Sequence, residues 1–165
     1  MHQDQPENRS SPPGARVLGA RDGDIVGVPH VAHDRFMISA KDSGGGFALV
    51  EHLLSPRMLA APLHRHSHED EYSYILEGRV GALLGDQVVF GQAGDLIFKP
   101  RGQWHTFWNA GDSQARILEI ISPGGFEQLF RELDALGQAA TPEAIAELGR
   151  RYGVETDFGN TGPII

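Results

Sequence analysis

The chain contains no cysteine. Disulfide staples and thiolate metal ligands are therefore excluded, and nothing points to an oxidising compartment. Cations are also scarce, with 14 Lys and Arg against 22 Asp and Glu and a formal net charge of −8. Nucleic-acid binding needs clustered positive charge to displace counterions from phosphates, and the pair Arg150-Arg151 is too small a cluster to supply it. Long apolar runs are missing, so no segment reads as a membrane span. Met1 to Ala15 is polar and rich in Pro and Ser, without the apolar core of a signal peptide. These absences leave a cytoplasmic protein, with neither nucleic acid nor membrane as partner, as the expectation.

What is present is a series of short apolar segments cut by turn signals such as Asp22-Gly-Asp24, Asp42-Ser-Gly-Gly-Gly46, Gly85-Asp86 and Gly91-Gln-Ala-Gly94. Short strands between regular turns predict an all-β sandwich or barrel. Strands are expected at residues 25–28, 35–38, 47–54, 71–76, 79–84, 87–90, 96–98, 105–108 and 115–121. After Pro123 the period lengthens. Phe126, Leu129, Phe130, Leu133 and Leu136 fall on one face of a helix, and a second helix is signalled by Thr141 as N-cap, Pro142 at its first position and Gly153 past its end. Residues 1–15 thus read as a disordered tail, 16–122 as a jelly-roll barrel and 123–165 as a helical extension of two α-helices. At 165 residues one domain can bury a core without staples.

The chemistry is concentrated in two runs, Pro62-Leu-His64-Arg-His66-Ser-His-Glu-Asp-Glu71 and Pro100-Arg-Gly102-Gln-Trp-His105-Thr-Phe-Trp-Asn109. A strand turns alternate side chains to the same face, so His64 and His66 point together. A turn after His66 lets Glu71 open the next strand and join them, and His105 enters from a separate strand as the fourth ligand. Glu69 and Asp70 are the competing carboxylates. Three imidazoles and one carboxylate suit one divalent transition metal, Fe, Mn, Ni, Co or Zn. If His105 faces inward, Phe107 does too, offering an aromatic wall. His68 reads as a rim residue, while Glu51 and His52 are supporting candidates whose facing the alternation cannot decide. Arg65 and Arg101 are expected to point away from the ligands.

The spacing His64-x-His66, four residues, Glu71, six residues, Gly78, followed by Gly94, five residues, Pro100-x-Gly102, two residues, His105, three residues, Asn109, resembles the two motifs of the cupin superfamily. The glycine that the family carries six residues before the first histidine is Met58 here, a difference of backbone that leaves the ligand positions intact. The resemblance implies a double-stranded β-helix cupin barrel of the small single-domain microbial type, with His64, His66, Glu71 and His105 as metal ligands. It further implies a metal-dependent dioxygenase acting on a small enolic or aromatic substrate, similar to the flavonol dioxygenases, with Glu71 also serving as catalytic base. A metal-dependent isomerase or epimerase and a non-catalytic small-molecule binding cupin are the alternatives. A homodimer is expected, as is common in the family.

Overall fold

The computed structural model describes residues 14–28 and 32–160. The expected tail falls almost wholly outside the described residues, as do His2 and His30. In chain order the elements are β1 (Asp24–Val28), β2 (Ala32–Ile38), β3 (Ala48–Leu54), β4 (Leu63–His66), β5 (Asp70–Glu77), β6 (Arg79–Leu84), β7 (Gln87–Gln92), β8 (Leu96–Lys99), β9 (His105–Asn109), β10 (Ala115–Ser122), α1 (Gln128–Leu136), α2 (Pro142–Arg151) and β11 (Val154–Asp157). The strands form two antiparallel sheets, one in the order β1-β2-β3-β10-β5-β8 and the other β11-β4-β9-β6-β7. The architecture is the expected all-β jelly roll, a double-stranded β-helix with two α-helices near its C-terminal end.

Strict alternation in β10 shows how the barrel forms. Ala115, Ile117 and Ile121 face inward and are fully buried, and Glu119 takes the inward position between the two isoleucines. Each isoleucine removed from water contributes about 2 kcal/mol. Ile75, Val80, Ala82, Ile97 and Phe107 complete one cluster with Ile117. A second cluster, built on Phe36, Val50 and Ile121, carries the helices through Phe126, Leu129 and Leu148. Two glycines are required by close approach. A Cβ at Gly78 (φ +83°) would stand 2.9 Å from the Ala115 Cα, and one at Gly81 would meet the Trp108 ring at 2.3 Å.

Helix α1 begins at Gln128, two residues after Phe126, yet Phe126 is still buried at the head of its apolar face. Helix α2 is capped as expected, the Thr141 hydroxyl accepting from the Ala144 N–H at 3.2 Å. The C-terminal segment is not helical throughout. After Gly153 (φ +72°) the chain enters β11, which pairs antiparallel with β4 and sets Val154 opposite His66 and Thr156 opposite His64. Four residues are too few to carry a period, which is why the strand is invisible in the sequence pattern. The turn before β4 is held without the family's glycine: the left-handed conformation belongs to Arg57 (φ +60°), whose guanidinium clasps Asp112, and the Met58 carbonyl accepts from the Asn109 N–H at 2.9 Å. Among the described residues no helix is long and apolar enough to cross a membrane.

Candidate metal centre

Strand β4 brings His64 and His66 to the barrel interior by its two-residue period, and its cross-strand partner at His64 is His105 on β9. Glu71 arrives from the facing sheet at the start of β5. Gly102 N–H donates to the His66 carbonyl at 2.8 Å, which ties the two motif halves together. One ligand atom from each of His64, His66, Glu71 and His105 lies within 4.8 Å of all the others, and all four side chains are buried.

The outer ring nitrogens are fixed by partners that face away from this point. His64 Nδ1 lies 2.7 Å from the Pro62 carbonyl and His105 Nδ1 lies 3.0 Å from the Gln103 carbonyl, so each Nδ1 donates and each Nε2 is left with its lone pair turned inward. His66 Nδ1 is 3.5 Å from Glu69 Oε2. At the centre, His66 Nε2 and His105 Nε2 lie 3.4 and 3.3 Å from the two Glu71 oxygens. Both Nε2 atoms are buried without a hydrogen bond among the described residues, and Glu71 Oε2 is buried with an ion pair to Lys99 at 2.9 Å. Ring nitrogens without hydrogen bonds and a carboxylate, converging in a buried site, are what a cation would satisfy, so the donor set fits a metal ion.

The competing carboxylates separate by location. Glu69 stands on the far side of the His66 ring, and Asp70 forms a two-pronged pair with Arg101, which also donates to it from its backbone N–H. Arg65 pairs with Glu155 and stacks over Trp104 at 4.9 Å, while His68 is exposed. None of these joins the cluster. Phe107 shares the inward face with His105, and Trp108 packs outward against Gly81 and Phe90.

Two buried charges were not anticipated. Lys99 lies opposite Glu71 in the β5–β8 register, and its ammonium bridges Glu71 Oε2 at 2.9 Å and Glu119 Oε1 at 3.1 Å while standing 4.3 Å over the Phe107 ring. Ser73 donates to the other Glu119 oxygen at 2.6 Å. Glu119 could have been found as the one carboxylate in the inward series of β10. Lys99 ends a strand, where a lysine ordinarily reads as solvated, and only its shared face with Ile97 hints otherwise.

The ionisation pattern follows from burial and charge. Burial raises the Glu71 carboxyl, but Lys99 and His66 outweigh it and hold the group well below the usual carboxylate range. Burial, with His105 and His66 beside it, keeps His64 well below an ordinary histidine. Burial would also lower His66, yet the Glu71 carboxylate and the Glu69 contact push it up to about 9.

A cavity of about 420 Å³ opens beside this cluster. Its walls are mainly apolar, with Leu54, Met58, Phe107, Phe126, Phe130 and Leu133 among them, and its polar groups include His64, Glu71 and Glu119 at the cluster and His52 and Asp34 elsewhere. The alternation that the sequence left open is now resolved. His52 faces the interior, whereas Glu51 faces outward, clamped by Arg35 at 2.7 Å and Arg116 at 3.2 Å.

A double-stranded β-helix with this three-histidine, one-glutamate cluster in its interior defines a class. The cupin-domain family model matches residues 51–121, and the chain contains a small cupin domain. An RmlC-like cupin from Shewanella frigidimarina NCIMB 400 superposes with a TM-score of 0.57 at 14% identity, covering 70% of this chain and 96% of that one. The polyketide cyclase RemF from Streptomyces resistomycificus superposes with a TM-score of 0.56 at 28% identity, covering 66% of this chain and 80% of RemF. The tetracenomycin polyketide synthase protein TcmJ of Streptomyces glaucescens is 33% identical over 60 residues, 36% of this chain and 40% of TcmJ. That match spans less than half the length of TcmJ.

The proton on His66 sets a testable pH dependence. A metal ion binding at Nε2 must displace it, so Zn(II) affinity of the metal-free protein should climb by about tenfold per pH unit from near neutrality and flatten above about 9. Calorimetric titrations across that range check this; an affinity flat between pH 7 and 9 would contradict the protonated His66.

Proposed function

We propose that His64, His66, Glu71 and His105 hold one divalent transition metal ion and that the protein is a metal-dependent enzyme acting on a small enolic or aromatic substrate with several carbonyl oxygens. The reaction class we favour is carbon–carbon bond formation within such a molecule, as in polyketide cyclisation. The observation that carries the reading is the aromatic-lined cavity with the ligand cluster at its polar wall, wide enough for a flat, oxygenated molecule. The 28% identity to a polyketide cyclase supports the substrate class.

When bound, the ion supplies Lewis-acid polarisation of a substrate oxygen. The protein's own groups do the rest. The Pro62 and Gln103 carbonyls hold two imidazoles in the tautomer that binds, and Phe107 and Phe126 exclude water from the substrate's faces. Lys99 keeps Glu71 ionised and therefore weakly basic, so Glu71 serves here as a ligand in preference to the base role first expected of it.

The dioxygenase reading is the alternative, favoured by the three-histidine, one-carboxylate donor set. Oxygen separates the two. Metal-loaded protein given a linear poly-β-ketone should convert it under argon as fast as in air. Product formation that requires oxygen, stoichiometric with substrate, would favour the dioxygenase, and binding without product would favour a non-catalytic binding cupin.

We also propose a homodimer. Tyr72 and Phe98 stack at 4.9 Å on the outer face of β5 and β8, and Tyr74, Leu96 and Phe98 stay 41%, 55% and 47% exposed beside the free edge of that sheet. Sedimentation should give twice the 17.9 kDa chain mass, and the single-chain mass alone at micromolar concentration would refute this.

A further inference from the structure

The cavity has a second polar group that the metal cluster does not use. His52 on β3 and Asp34 on β2 are cross-strand partners, both turned to the interior, with Nδ1 of the imidazole 2.6 Å from the Asp34 carboxylate. The carboxylate fixes Nδ1 as the donor, and among the described residues no hydrogen bond reaches the remaining nitrogen, Nε2. The ring is itself held in place, edge-on to Phe130 at 5.5 Å and tilted against Phe107 at 6.1 Å. An imidazole oriented by a half-buried carboxylate, locked between two aromatic rings and lining a substrate-sized cavity, has the parts of a general acid–base catalyst.

We infer that His52, oriented by Asp34, is the catalytic proton carrier of this cavity and acts on a carbon acid flanked by two carbonyls. The inference rests on the reading that the cavity receives a substrate with several carbonyl oxygens. His52 Nε2 takes a proton from the methylene between two carbonyls: the C–H bond breaks, an N–H bond forms, and the electron pair passes into an enolate. The enolate carbon attacks a second carbonyl of the same molecule. A C–C bond forms, the C=O π pair moves onto oxygen, and that alkoxide takes the proton back from the imidazolium. The sequence is redox-neutral and returns His52 to its starting state.

The charged groups around His52 set its working range. Asp34 faces it from β2, Glu119 from β10 and Lys99 from β8, and Asp134 of α1 and His64 of β4 line the same cavity. Burial lowers the proton affinity of the ring, but Asp34, with Glu119 behind it, more than offsets this and raises the pKa above that of an ordinary histidine. The free base therefore accumulates only above that raised pKa, and the rate of proton abstraction should rise with pH through it. Replacing Asp34 by a neutral group leaves burial unopposed by its charge, so the limb should move to lower pH.

The test uses metal-loaded protein and ethyl benzoylacetate, whose C2 protons exchange with D₂O at a rate readable by proton NMR. Wild-type protein should bind the ester and accelerate exchange above the buffer rate. His52→Gln should lose about 100-fold of that acceleration while keeping its metal content and its affinity for the ester. Asp34→Asn should lose less and shift the rising limb downward, and the His52 ring resonance, titrated without substrate, should shift in the same direction. A His52→Gln protein that holds metal, binds the ester and exchanges it at the wild-type rate would overturn the inference alone. Wild-type protein that holds metal but does not bind the ester would overturn the cavity reading, and the inference with it.

Discussion

A carboxylate buried in a protein interior must be neutralised or it will not stay ionised, and the way Glu71 is neutralised organises the inside of this barrel. Its two oxygens face His66 and His105 on one side and Lys99 on the other, and Lys99 passes the charge on to Glu119, which Ser73 anchors. Both sheets contribute: β5, β8 and β10 come from one, β4 and β9 from the other. The network thus spans the gap that apolar packing alone would fill elsewhere in the core. Its inner histidine nitrogens are left unpaired, and a barrel that retains such groups without a cation would bear their desolvation cost uncompensated.

That arrangement was partly legible from residue order. The two-residue period of β4 and the spacing to Glu71 and His105 brought the four candidate residues to one place, because alternation in a strand is a strong geometric rule. Glu71 turns into the cluster, whereas Glu69 stands behind the His66 ring and Asp70 pairs with Arg101. Other features depended on partners that no local pattern announces. Lys99 is inward because β8 pairs with β5 in a register that sets it opposite Glu71, and β11 exists because β4 has an open edge that a four-residue segment can cover. The face of β3 was undecidable for the same reason. Leu49, Glu51 and Leu53 and, on the other side, Val50, His52 and Leu54 are mixed alike, and only pairing with β2 and β10 shows which set looks inward.

The resolved β3 face matters to function because it gives the cavity two chemically distinct polar groups. The cluster on β4, β5 and β9 offers lone pairs converging on a point, suited to a cation and to an oxygen held by it. His52 and Asp34 offer a mobile proton. Phe107 lies against both His52 and Lys99, and with Phe126 and Phe130 it forms the aromatic wall of the cavity. Division of labour between an oxygen-binding group and a proton carrier is what enolate chemistry requires, and the helices matter to it because Phe126 and Phe130 come from the segment of α1.

The central claim is that four residues from three strands form one metal site. Elemental analysis of protein purified without a histidine tag tests it most directly, with the His64→Ala/His105→Ala double variant as control. The account predicts about one equivalent of a divalent transition metal per chain in the wild type and none in a folded double variant. Folded wild-type protein that carries no metal, and takes up none of Fe, Mn, Co, Ni or Zn when they are supplied, would contradict it.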